Sequence, residues 1–224
     1  MERRQFTSGV FAMAGLWPLL ARAGLLSEGD AALGIRTALE RGAVAAVGLL
    51  GRNDGFLGNP KVRIPLPGIL NDAAKLLEAT GQGSKVEELV TAMNRGAEAA
   101  VPMARDLLVR TAKAISVQDA VAIVRGSQTA VTEYFAAKTR SPLGEQFLPI
   151  VTQTTDKVAL AAKFNAVAGR AAKLGLLKGD DANIQRYVTR KTLDGLYLMI
   201  GEEERKIRAD PVGTGSAILR KVFG

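Results

Sequence analysis

Apolar and polar positions sort most clearly near the end of the chain. Asp181 to Pro211 follows the pattern of one long helix, and its middle, Leu193 to Ile200, is apolar nearly all the way round. A helix apolar on every face is normally enclosed by other helices. The rest of the chain therefore reads as segments packed around this one. Asp180 or Asp181 can cap its start, and Pro211 marks its end. Glu202 and Lys206 stand four apart, as do Glu204 and Arg208, acid first, which is the favoured orientation of such pairs. Asp194 interrupts the apolar run. A buried carboxylate needs a cation or donor, and Lys191, Arg190 and the more distant Arg63 are its candidate partners. Gly195 beside it weakens a helix by about 1 kcal/mol relative to alanine. Its expected use is to let another backbone or a ligand approach closely.

The preceding chain divides into further helical stretches. Ser27 to Leu50 is the first, with Ser27 as cap and an apolar side of Ala32, Leu33, Ile35, Leu39, Val44, Val47 and Leu50. Gly51 to Gly68 follows, and its glycines and prolines forbid a regular element. Phe56, Leu57, Val62, Ile64 and Leu66 place this loop against the core, with Arg52, Lys61 and Arg63 around its edge. Ile69 to Thr80 is a short helix. Ser84 and Glu87 read as a capping box opening a long helix to Ile115, bent or divided at Pro102. Ser116 and Asp119 read as a second box, with a helix to Arg125. Thr129 to Thr139 is another helix. Ser141-Pro142 then reads as cap and first-turn proline of a helix running to Leu174, kinked at Pro149. Ser216 to Phe223 is a short segment expected to pack back on the body. The expected architecture is all-α: a single domain of about seven or eight helices packed around the long C-terminal helix, with one long irregular Gly/Pro-rich loop.

Composition supports this and narrows the chemistry. Hydrophobic residues make up 47% of the 224 and aromatics only 5%, so alanine, leucine and valine must fill the core. The chain has no histidine and no cysteine. This removes Ser-His-Asp and Cys-His nucleophile systems, zinc sites built on those residues, histidine-ligated haem, iron–sulfur clusters and disulfides. No cofactor is expected. The net charge of +8 suits anionic partners in general, although the cations are scattered. There is no aromatic–basic platform of the kind that binds nucleic acid, so no nucleic-acid partner is expected.

Residues 1–23 have the layout of an export signal. Arg3 and Arg4 precede an apolar stretch from Gly9 to Leu20 that is too short to span a bilayer, and Ala21-Arg22-Ala23 fits a small-x-small cleavage site. Arg3-Arg4-Gln5-Phe6 resembles the twin-arginine export motif, with Thr7 where leucine is usual. The expectation is a periplasmic protein cleaved near Ala23, whose single domain occupies residues 24–224. No later segment is long and apolar enough to span a membrane.

Several stretches together resemble one bacterial family, the domain of unknown function 4197. In the loop they are Asp54-Gly55-Phe56, Asn59-Pro60 and Arg63-Ile64-Pro65-Leu66-Pro67. Met93-Asn94-Arg95 follows, then Phe147 with Pro149-Ile150-Val151. The strongest lie near the end: Tyr187-Val188-Thr189 with Lys191, Leu193-Asp194-Gly195-Leu196, Glu202-Glu203-Glu204, Ile207-Arg208, and the closing Lys221-Val222-Phe223-Gly224. Arg125-Gly126-Ser127 departs from the glycine pair expected at that turn. The resemblance implies an exported helical protein and brings no activity with it.

Three candidate sites emerge. An anion site can form from Arg63 and Arg95 with Lys61, because arginine pairs bidentately with phosphate or carboxylate; Lys191 and Asp194 are further ligand-binding candidates, Asp194 as a carboxylate at the wall of a ligand site. The competing reading pairs these arginines internally with Asp194 or Glu202 to Glu204. A hard-cation site can form from Asp54 with Glu202 and Glu203, against a solvated acidic face. Tyr187 or Tyr197 can donate a proton, or simply pack. Asp54, Gly55, Pro65, Pro67, Gly195, Glu202 and Glu203 are expected to be structural. Two function classes follow. One is a non-catalytic envelope protein binding a lipid, another amphiphile or a protein partner. The alternative is a carboxylate-based hydrolase or lyase using Asp194 or an acid from Glu202 to Glu204.

Overall fold

In this computed structural model, residues 28–124, 126–127, 129–173 and 182–210 are described. The expected export signal, the expected cap at Ser27, Asp180 and Asp181, Pro211 and the closing segment lie outside them. The described residues form eight α-helices and no strand: α1 (Glu28–Leu50), α2 (Asn71–Ala79), α3 (Gly83–Ala100), α4 (Ala104–Lys113), α5 (Val117–Val124), α6 (Ala130–Thr155), α7 (Ala159–Lys173) and α8 (Ile184–Ala209). The fold is all-α and forms one domain. No described helix is long and apolar enough to cross a membrane.

Helix α8 packs against α6, α1 and α3. Between Leu193 and Ile200 every residue is buried except Asp194 and Leu198. Those two stand one turn apart and form the single stripe of this stretch that reaches water. Asn183 caps α8: its side chain accepts from the Arg186 N–H at 3.0 Å, a role expected of Asp180 or Asp181. On α1 the buried stripe is Ala32, Ile35, Leu39, Ala43, Ala46 and Leu50. Leu33 and Val44, expected on that face, point outward, and the small Ala43 and Ala46 take their place at the contact. Arg36 donates to the Ile115 carbonyl just beyond α4, tying α1 to that end.

Two local start signals are overridden. Ser84 does not cap α3, which begins a residue earlier at Gly83 and has no side-chain cap. Ser141-Pro142 does not open a helix, because α6 runs unbroken through both Pro142 and Pro149. Phe135, Thr139, Leu143, Phe147, Val151 and Thr155 recur every four residues across both prolines, and all are fully buried. That stripe holds α6 together. The carbonyls left without N–H partners belong to Lys138 and Glu145, exposed residues where water can serve them. The break falls instead at 156–158. Elsewhere the signals hold: Pro102 sits in a 3-10 turn, Val101–Met103, between α3 and α4. The Ser116 hydroxyl accepts from the Asp119 N–H and donates to its carboxylate, starting α5.

Candidate functional site

The irregular segment 51–67 lies across α3 and α8. Phe56, Val62, Ile64 and Pro67 are buried, while Arg52, Lys61 and Arg63 are exposed. A buried loop must find partners for its backbone polar groups, and α3 supplies them. Glu98 Oε1 accepts from the N–H groups of Phe56 and Leu57, each at 3.0 Å. The Asn94 amide accepts from Ile64 N–H at 2.8 Å and donates to Ile64 C=O at 3.0 Å, much as a neighbouring strand would. From α8, Tyr187 donates to the Pro65 carbonyl at 3.1 Å. Asp54 has a left-handed backbone (φ 62), and a Cβ on the next residue, Gly55, would collide with the Leu50 carbonyl. Gly195 is the crossing point: a Cβ there would stand 2.9 Å from Phe56 Cε1. The close approach expected at this glycine is made by loop side chains.

Arg95 is removed from the anion-site candidates. It donates to Glu98 at 2.6 Å and to Asp54 at 2.8 Å, and Glu98 chiefly holds its pKa above the ordinary arginine value. Arg63, Lys191 and Asp194 do come together. With Lys61, Gly195 and Leu198 they line a shallow hollow of about 180 Å³ between the loop and α8. Asp194 is not buried. Its side chain is 44% exposed, on the open stripe of α8, and its partner is Arg140 of α6 at 2.8 Å rather than Lys191, Arg190 or Arg63.

The acids proposed for catalysis or a cation do not converge. Both oxygens of Glu202 meet Lys61, at 2.8 and 2.9 Å, and that bond holds its carboxyl below the ordinary range. Lys206 pairs with Glu203, not Glu202. Glu204 is buried and accepts from the N–H and hydroxyl of Thr132, capping the first turn of α6 from α8. Asp54 is on Arg95. Among the described residues no group of three acids could hold a metal ion, so the Asp54–Glu202–Glu203 cation site is not formed. Tyr197 is buried, its hydroxyl 2.6 Å from Thr139 Oγ1, and burial pushes its pKa up, which makes it a poor proton donor.

A larger concavity among the described residues was not legible in the sequence. It is a groove of about 520 Å³ along the seam of α6 and α8. Leu193 and Thr189 are its buried residues, Gly144 and Leu148 are half-buried walls, and Arg140, Arg186 and Arg190 stand around it with Ser141 and Glu145. A second hollow of about 340 Å³ shares Leu148 and Arg186 and ends in an amide network. There Asn165 donates to Gln185, and Gln185 donates to Asp156. Arg140 lines the groove and Asp194 the shallow hollow, so their ion pair marks the boundary between the two. The four-residue spacing of Arg186 and Arg190 puts both on one helix face and was legible. Arg140, 54 residues from Asp194, arrives only through packing.

No curated protein and no solved structure matches the chain. The family described as protein of unknown function DUF4197 matches residues 25–224, and the chain belongs to that family.

Proposed function

We propose that this chain is an exported, non-catalytic binding protein of the bacterial envelope, and that its ligand is an amphiphile lodged along the α6–α8 seam. The observation that carries this reading is the groove itself, where Leu148, Leu193 and Gly144 offer apolar surface beside three arginines. Sites for small ligands commonly combine an apolar lining with a few polar groups. The layout of residues 1–23 supports export. The hydrolase or lyase alternative has less support, because Asp194, Glu202, Glu203 and Glu204 each already hold a separate partner.

Native mass spectrometry of the protein purified from an exporting cell tests both halves. The expected spectrum shows a chain beginning at Gly24 and carrying an added mass that organic solvent removes. Leu148→Trp, which fills the groove, should abolish the adduct. An adduct unaffected by Leu148→Trp, or none in any preparation, would overturn the groove reading. A mature chain retaining Met1 to Ala23 would overturn export.

A further inference from the structure

We infer that the outer face of α1 is a docking surface, and that its occupant is the chain's own closing segment, Ser216 to Phe223, seated over a hollow between Thr37 and Ala45. This is independent of the α6–α8 groove, which lies elsewhere on the molecule.

The first observation is the surface. Leu33 is 51% exposed and Val44 36% exposed, on the side of α1 opposite its buried stripe. The outward side of a surface helix is normally polar. Here Thr37 and the exposed Ala45 continue the strip begun by Leu33 and Val44. A hollow of about 440 Å³ lies on this face, lined by Thr37, Glu40, Arg41, Val44 and Ala45. All five lining residues belong to α1, so no other described element covers it.

The second is where α8 delivers the chain. Gly55 lies beneath the Leu50 carbonyl, and the next residue, Phe56, meets α8 at Gly195. Further back on α1, a Cβ on Gly42 would stand 3.6 Å from Glu203 Cβ. The two helices are therefore antiparallel, and following α8 forward means following α1 backward. Ala209, at the end of α8, lies about 9 Å beyond Glu203 at about 1.5 Å per residue. That is level with the first half of α1. Ala45 adjoins Gly42 on the helix surface, so the hollow begins on the flank that faces α8.

The third is the sequence that follows. Pro211, Gly213 and Gly215 suit a turn, and Pro211 to Gly215 can reach up to roughly 17 Å. That is enough to bring the next residues to the hollow. Ile218, Leu219, Val222 and Phe223 have the spacing of one helix face, with Arg220 and Lys221 on the other. As a helix, Ser216 to Phe223 would be about 12 Å long, the length of α1 from Thr37 to Ala45. The family match runs through residue 224, so this segment belongs to the domain. Its apolar face needs cover, and the strip on α1 is within its reach.

The test uses introduced cysteines, which report alone because the chain has none. Val44→Cys combined with Val222→Cys, treated with a short bismaleimide, should give a cross-link within one chain, identified by mass spectrometry. It should form at least about tenfold faster than in a chain carrying Lys163→Cys and Val222→Cys, because docking raises the effective concentration of one pair only. Lys163 is the distant control: it is exposed on α7, which joins α8 at the opposite end, where Asn165 meets Ile184. In a second measurement, maleimide labelling of Val44→Cys should be at least about tenfold slower than in the same chain with Leu219→Ser and Phe223→Ser. Far-UV circular dichroism checks that the serine variant folds, and if it does not, the cross-linking comparison decides. Equal cross-linking at the two positions, or equal labelling with and without the serines in a folded chain, overturns the docking. Cross-links found only between two chains also overturn it and assign this face to a second copy.

Discussion

Gly195→Ala should destabilise the protein by about 1–2 kcal/mol, although alanine is the better helix former by about 1 kcal/mol. The magnitude follows from what the new methyl group meets. Its carbon would stand 2.9 Å from Phe56 Cε1 and 3.3 Å from Val62 Cβ and Cγ1. The Phe56 ring is fully buried, so it cannot retreat without moving the loop. The loop in turn is tied by the Phe56 and Leu57 N–H bonds to Glu98. Overpacking of this kind costs about 1–3 kcal/mol and outweighs the gain in propensity. Gly48 in α1 is the control: a Cβ there meets nothing within 4 Å among the described residues. Gly48→Ala should therefore stabilise, by about 0.5–1 kcal/mol. Urea unfolding followed by far-UV circular dichroism measures both. Shrinking the ring in Phe56→Leu should recover part of the Gly195→Ala loss, a coupling visible in a double-mutant cycle. If Gly195→Ala stabilises the protein as Gly48→Ala does, the loop does not press on α8 as described.

Two further substitutions test the loop's anchors. Glu98→Ala leaves the buried Phe56 N–H without an acceptor and Arg95 without one of its two acids, so it should cost about 2–4 kcal/mol in urea unfolding. Glu98→Gln retains an acceptor for the backbone and should cost less; the reverse order would refute the anchoring role. The Lys61–Glu202 bond predicts a pH dependence. The Glu202 carboxyl titrates below its ordinary value in the folded protein, chiefly because of Lys61. Its contribution is therefore complete above the unfolded glutamate value near about 4.3 and is lost as pH falls through the lower folded value. Glu202→Gln should lower the urea midpoint modestly at neutral pH, where the contribution is complete, and that deficit should close as pH falls below about 4.5. A wild-type-to-variant difference that stays constant from neutral pH down to pH about 3 would rule this out.

Much of the fold was legible because its signals are local and repeated. Buried positions three and four apart mark α1 and α8, and the apolar residues among the loop's glycines and prolines mark a segment lying on a core. Where reading failed, a short motif competed with a longer pattern. Ser141-Pro142 imitates a helix start, yet the four-residue stripe from Phe135 to Thr155 passes straight through it. Burying that stripe outweighs two missing backbone bonds that water can replace. Ser84 lost to a helix that begins at Gly83.

The candidate site was less legible. Arg63, Lys191 and Asp194 do line one hollow, but the groove beside it was missed, and Arg95 belongs to the loop's anchoring.

What the sequence determined by itself is the helical class and the absence of imidazole and thiol side chains. These depend on residue type and on spacing within a few turns. Only the tertiary structure decided which cation meets which acid. Lys61 and Glu202 lie 141 residues apart, and Arg140 and Asp194 lie 54 apart. A long charged side chain can reach several partners at little difference in energy, so its choice is set by where packing of the apolar faces leaves each helix.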